Sequence, residues 1–205
     1  MKKIITLMVT ALVALTANAK ATLTGPKDGV ITVNVESAGD LASYNFSSLT
    51  SEQKACTSFY IKGNIGQNDL IALASEFTVK NLDLTDASSV NGAWVLTSDH
   101  YSYKTGLETF TFPKYLTSVD GQWVNQSNVK HVVIPNGIGN GSTEVSVNGF
   151  GQMKSLETVV IGTGVTSVGS SAFQEDTSLK VLDIRAGIKT IGRCAFQKCP
   201  IEDIV

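Results

Sequence analysis

Apolar residues recur along most of the chain in one short pattern: an apolar position, two unspecified positions, a second apolar position, one unspecified position and a third apolar position. The pattern is clearest in Leu156/Val159/Ile161 and Leu179/Leu182/Ile184, and another copy begins at Ile201. Earlier copies are Cys56/Phe59/Ile61, Val79/Leu82/Leu84, Leu107/Phe110/Phe112 and Val129/Val132/Ile134. Successive copies lie 22 to 28 residues apart, a period that is typical of a solenoid of stacked repeats.

Each copy predicts one short strand with a single buried face, because its apolar residues alternate with polar ones. Stacking the copies predicts a β-rich solenoid of short parallel strands, in which each unit buries its apolar face against its neighbours. The segments 116–119 and 165–168 have apolar residues three positions apart. They predict a turn and a second short extended or 3₁₀ segment on the opposite side.

A bulky residue near the end of each unit is expected to fill the interior between the two layers. It lies six positions before the next copy in five units and five positions before it in the sixth. These residues are Leu73, Tyr101, Trp123, Phe150, Phe173 and Phe196.

The chain is expected to comprise a signal peptide at 1–19, an N-terminal α/β cap at 20–55 and a repeat solenoid at 56–205. Solenoids need atypical end units to cover the terminal core. Within the cap, the alternation at 30–35 predicts a strand, and Thr50 with Gln53 predicts a helical capping box. In the first repeat, Asn68 is the predicted N-cap of a helix that runs to Phe77.

The two ends of the chain carry different signals. Residues 1–19 combine two lysines, an apolar run too short to span a bilayer and Ala17-Asn18-Ala19, which together predict a secretory signal peptide. The other end, Ile201–Val205, lies within the strand of a new rung and leaves an apolar edge. We expect either a truncated reading frame or an edge that further repeats or a partner chain cover.

Composition narrows the classes of function. Without Lys2 and Lys3, 14 basic residues face 18 acidic ones, a formal charge of −4, which argues against nucleic acid as a partner. No second apolar run is long enough for a transmembrane helix. The sequence leaves open whether Cys194 and Cys199 form a disulfide or are two small apolar residues. Cys56 takes a core leucine position, which predicts a buried thiol.

Catalytic patterns are nearly absent. The only histidines are His100 and His131, and no metal-binding, nucleophile-elbow or phosphate-loop motif occurs. The carboxylates lack calcium-loop spacing. We therefore expect no enzyme activity and no cofactor; a hydrolase built on Cys56 or a serine with a histidine is the disfavoured alternative.

Short motifs resemble a known family. At Ala172-Phe173, at Ala195–Cys199 and at the Ile/Val-x-x-Ile/Val-Gly element before them, the chain resembles the BspA-type leucine-rich repeats of surface and secreted proteins from anaerobic gut and oral bacteria. Residues 37–41, 59–63 and 82–84 resemble the N-terminal region of such proteins from Bacteroides-like organisms. The departures are two long insertions and Asp176, where many units of the family have cysteine. The resemblance implies an extracellular leucine-rich repeat scaffold without a catalytic motif, in some members an adhesin for host proteins.

The repeat alignment also predicts a binding face on the outward side of the strands. Its central column is Tyr60, Asp83, Thr111, Val133, Val160 and Asp183, and His131 and Arg185 lie beside it. At about 4.8 Å per strand the column is about 24 Å long, enough for a peptide or a short glycan. The same alignment puts Pro113, Pro135 and Gly162 on the outward side.

Two functional hypotheses follow from this face. The first is an exported binding or adhesion module that takes a host protein or a glycan on the strand face, with help from the insertions at 97–106 and 136–143. The second is a structural spacer or assembly segment of a larger cell-surface protein. The face also has an ordinary explanation as a solvated sheet surface without a ligand.

Overall fold

The computed structural model describes residues 21–88, 106–121, 124, 128–139, 146–185 and 187–205. The predicted signal peptide, residues 97–105 of the first insertion and residues 140–143 of the second lie outside this range. So do the predicted interior residues Tyr101 and Trp123.

Within the described residues, the strands form two sheets, numbered here along the chain. The larger sheet has nine strands in the order β1 (Ala21–Lys27), β2 (Val30–Val35), β3 (Ser58–Asn64), β4 (Asn81–Ser88), β5 (Thr109–Thr111), β7 (His131–Ile134), β9 (Thr158–Ile161), β11 (Val181–Ile184) and β13 (Asp203–Ile204). The smaller sheet has four, in the order β12 (Thr190–Ile191), β10 (Ser167–Val168), β8 (Ser146–Asn148) and β6 (Ser118–Asp120). The helices are α1 (Ser51–Lys54) and α2 (Gln67–Glu76), and 3₁₀ turns occur at Leu41–Ser43 and Phe46–Ser48.

The larger sheet follows the apolar pattern of the sequence. All its strand pairs are parallel except β1 with β2. In register across the repeats lie Phe59, Leu82, Phe110, Val132, Val159 and Leu182, all buried. The prediction of a β-rich solenoid of short parallel strands is confirmed.

The predicted return segments form the smaller sheet. Val119, Val147 and Val168 lie in register on β6, β8 and β10, and all three are buried. They join the apolar residues of the larger sheet in one hydrophobic cluster. The two sheets therefore enclose a continuous core, as expected for a solenoid whose units bury apolar surface against each other.

A stack of phenylalanines runs through this core. The rings of Phe150 and Phe173 are stacked with centroids 4.9 Å apart, and those of Phe173 and Phe196 are 5.2 Å apart and nearly parallel. Phe150 and Phe173 are fully buried, whereas Phe196 is partly buried. These residues occupy the interior position that the sequence predicts for them.

The N-terminal residues extend the larger sheet. β1 and β2 form an antiparallel hairpin, and β2 pairs in parallel with β3. The strand at 30–35 and the capping box of Thr50 and Gln53 are both confirmed. The role of residues 20–55 as a cap of the core stays a prediction.

The predicted N-cap of α2 is wrong. Gly66, not Asn68, is the N-cap, and Asp69 accepts a hydrogen bond from the Gly66 N–H at 2.7 Å. Asp69 is fully buried and also accepts from the N–H groups of Gly39 and Leu41, at 2.7 and 2.8 Å. The Asp69 carboxylate fixes where α2 begins, because it accepts hydrogen bonds both from the helix start at Gly66 and from the segment 39–41.

Other side chains also depart from the sequence-based expectations. Cys56 is only half-buried, because the chain enters its unit from α1 rather than from the turn of a preceding repeat. Pro113, Pro135 and Gly162 are buried, since each lies just beyond the end of its strand, where the outward alternation stops. All three cysteines are free thiols, and that of Cys199 donates to the Phe173 carbonyl oxygen at 2.8 Å.

Candidate binding face on the larger sheet

The central column of the predicted face is continuous in the structure. Each of its members is the direct strand partner of the next: Tyr60, Asp83, Thr111, Val133, Val160 and Asp183. Every one of these residues is partly exposed, while its neighbours along the chain are buried, except Ile184 beside Asp183, which is partly buried. The column therefore lies on the surface and crosses six strands, about 24 Å at the usual strand spacing.

A hydrogen-bonded cluster occupies the N-terminal end of the face. The Tyr60 hydroxyl donates to Asp86 Oδ2, and Lys114 Nζ lies 3.1 Å from Asp86 Oδ1. Asp86 reaches this place because the register of β3 and β4 shifts beyond Tyr60, so that Lys62 pairs with Asp86. The cluster presents a phenol, a carboxylate and an ammonium group together.

Within this cluster, Tyr60 and Asp86 each stabilise the other's protonation state. Desolvation and the neighbouring Asp86 raise the pKa of Tyr60 to about 12, so the phenol stays a hydrogen-bond donor. The hydrogen bonds from Tyr60 and then Lys114 lower the pKa of Asp86. Asp86 is therefore a permanent acceptor at neutral pH.

The rest of the central column is polar at its two ends and apolar in the middle. Asp83 Oδ1 accepts from the backbone N–H and the hydroxyl of Thr85, at 2.8 and 2.6 Å. Val133 and Val160 form an apolar centre. At the far end, Arg185 Nε and Asp183 Oδ2 form an ion pair of 2.9 Å. Polar groups thus flank an apolar middle, an arrangement that suits an extended ligand with an apolar core.

His131 lies one column away from the central one. It is half-buried on β7, between Thr109 of β5 and Thr158 of β9. Among the described residues, no group of three or more histidine, cysteine, aspartate or glutamate side chains could hold a metal ion.

Sequence reasoning missed a second ordered column, which lies immediately before the strands. Each member after the first donates its backbone N–H to the carbonyl oxygen of the preceding member at 2.7 to 3.0 Å. The members, here called the charge column, are Lys80, Glu108, Lys130, Glu157, Lys180 and Glu202. The charges alternate at every step. The sequence contains a signal for this column, because each charged residue directly follows the first apolar position of its repeat.

Ion pairs form at both ends of the charge column. Lys80 Nζ lies 3.1 Å from Glu108 Oε1, and Lys180 Nζ lies 2.9 Å from Glu202 Oε1. The hydrogen bond and charge of Lys80, with smaller contributions from Lys130 and His131, lower the pKa of Glu108. The column therefore borders the candidate binding face at His131.

A shallow polar cleft of about 260 Å³ is lined by Gly151, Gln152, Ser171, Gln174 and Glu175, all in the turns between strands. It brings together none of the predicted site residues. Over the described part of the chain, no helix has the length and hydropathy to cross a membrane.

The stacked parallel strands, the return strands and the single core define a β-rich repeat solenoid. A family model described as the BspA type leucine-rich repeat region matches residues 94–205 in six copies. The match covers more than half of the chain, which belongs to this family. Such repeats commonly serve protein interaction, are typically non-catalytic and are associated with bacterial surface and secreted proteins. No curated protein and no solved structure matches the chain.

Proposed function

We propose that the protein is an exported, non-catalytic binding or adhesion module that takes an extracellular ligand on the outward face of the larger sheet. The ligand is a host protein, or alternatively a glycan. The observation that carries the proposal is the unbroken register of six partly exposed residues from Tyr60 to Asp183. A rigid scaffold places these side chains at fixed spacing, which lowers the entropic cost of binding an extended ligand.

The chemistry of the face favours a protein over a glycan. Val133 and Val160 give the centre an apolar contact, and the ends carry charged groups in Asp86, Lys114 and Arg185. Interfaces between proteins combine an apolar centre with a polar rim in the same way. Sugar-binding faces use aromatic rings at the centre, and here the only aromatic residue of the column is Tyr60 at one end.

The test begins with a binding screen against immobilised extracellular matrix proteins and glycans. The triple variant Tyr60→Ala, Asp83→Ala, His131→Ala is then compared with wild type on the ligand found. Removing one aromatic and two polar contacts should weaken binding at least about tenfold, since interface tyrosines are often hot spots.

The matched control carries three exposed substitutions near the smaller sheet, Thr117→Ala, Lys189→Ala and Thr190→Ala. It should bind like wild type. Thermal unfolding followed by circular dichroism verifies that both triple variants are folded. Unchanged affinity in the Tyr60 triple variant would move the site away from this face.

A further inference from the structure

The charge column has a symmetry that the binding face lacks. Read from Lys80 to Glu202 its signs are plus, minus, plus, minus, plus, minus. Reversing the order inverts every sign. Two identical columns laid antiparallel therefore place a lysine opposite a glutamate at all six positions.

We propose that the charge column is a self-association surface on which a second copy of this chain docks antiparallel. The two-fold axis passes between Lys130 and Glu157. Lys80 then faces the second copy's Glu202, Glu108 faces its Lys180, and Lys130 faces its Glu157. Such an isologous contact closes on itself and gives a dimer rather than a filament.

The middle of the column supplies the strongest argument for a partner. The end residues form ion pairs within the chain, Lys80 with Glu108 and Lys180 with Glu202. Neither Lys130 nor Glu157 has an ion-pair partner within 4.0 Å among the described residues. These two side chains lie on either side of the proposed axis, where each one meets its opposite charge in the second copy.

The surface beside the charge column suits a close approach. The strand positions that follow the first five members of the column are in register and hold no lysine, arginine or carboxylate: Asn81, Thr109, His131, Thr158 and Val181. These five are half-buried, so they form a low strip along the charges. Beside Glu202, Asp203 adds a second carboxylate, which in the dimer lies towards Lys80 of the second copy.

The expected dimer is weak and sensitive to salt, because exposed ion pairs are individually small and are screened within about 8 Å at physiological ionic strength. Sedimentation equilibrium of the protein measures the dimer directly. We expect a dimer at about 50 mM salt and a dissociation constant at least about tenfold higher at about 500 mM salt.

Charge reversals at the axis test the geometry. Lys130→Glu and Glu157→Lys each place like charges across the axis twice, so each variant alone should dimerise at least about tenfold more weakly than wild type. An equimolar mixture of the two restores opposite charges at every position and should recover the dimer. The control pair Lys189→Glu and Glu36→Lys makes the same charge changes at exposed positions outside the column and should not alter dimerisation, separately or mixed.

The double variant Lys130→Glu with Glu157→Lys separates self-association from a role within the chain. It keeps opposite charges across the axis but leaves like charges beside Glu108 and Lys180 within each chain. We expect it to dimerise. A monomeric wild type at low salt, single variants that dimerise like wild type, or a mixture that stays monomeric would each overturn the proposal. So would single variants that lose ligand affinity while every protein stays monomeric, because the column would then belong to the ligand face.

Discussion

The stability of the protein is expected to fall as the pH rises from about 4 to about 7, because of one buried carboxyl group. Asp176 is fully buried; its Oδ1 accepts the Met153 N–H at 2.8 Å, and its Oδ2 has no partner in the described structure. Burial raises the pKa of Asp176 to about 7, against the opposing effect of backbone hydrogen bonds from Met153 and Gln152. The neutral acid is therefore the form that fits the fold.

The magnitude follows from linkage between protonation and folding. In the unfolded chain the group has its ordinary pKa of 3.8, so the folded state binds the proton more tightly. Its contribution to stability is fully present below about pH 4 and is lost as the pH rises through about 7. A difference of about three pKa units at about 1.4 kcal/mol each amounts to about 4 kcal/mol.

The test is Asp176→Asn, which keeps an oxygen acceptor for Met153 and cannot ionise. Urea unfolding of both proteins at about pH 4, 6 and 8 gives the stability difference at each pH. The difference should shift by about 4 kcal/mol in favour of the variant between pH 4 and pH 8. The net gain at pH 8 should be about 1–3 kcal/mol, because a buried amide N–H group without a partner offsets part of it.

Two controls accompany this measurement. Asp28→Asn changes an exposed aspartate and should alter stability by less than about 0.5 kcal/mol at every pH. Asp176→Cys copies the residue one repeat later, Cys199, and should show the same pH trend as the amide. A stability difference between Asp176→Asn and wild type that is the same at pH 4 and pH 8 would refute the reasoning.

Two further predictions concern the core. Asp69→Ala leaves the buried N–H of Leu41 and the part-buried N–H groups of Gly39 and Gly66 without their acceptor and should cost about 3–5 kcal/mol in urea unfolding. Asp69→Asn, which retains one acceptor oxygen, should cost less. An alanine variant as stable as wild type would contradict this role. Phe173→Ala removes the middle ring of the phenylalanine stack and should lower stability by about 3–5 kcal/mol. The partly buried Phe196 should cost less on truncation, and equal thermal midpoints for the Phe173 variant and wild type would contradict the stacked-core model.

The fold of the repeats was predictable because their apolar period determines two features of each strand. The pattern around Leu156 and Leu179 sets both which face of the strand is buried and which residues become strand partners, so the register from Val159 to Leu182 follows from alignment. The start of α2 was not predictable in this way. Asn68 is a good capping residue, whereas Gly66, the observed N-cap, has no side chain to mark it. The N–H groups that hold Asp69 in place come partly from Gly39 and Leu41, about 30 residues earlier in the chain.

The charge column was not predicted, because the prediction of the surface considered only residues within the strands. The outward face was predicted by counting alternate residues within each strand, and that count starts after Lys80, Glu108 and Lys130. The three residues precede the strands, yet the backbone hydrogen bonds hold them in the same stack. Neighbouring members of such a stack are about one strand spacing apart, so like charges would repel at every step and alternation is the stable order. Six alternating charges necessarily change sign on reversal. The alternation that avoids like-charge repulsion within one chain thus also makes two antiparallel columns complementary in charge.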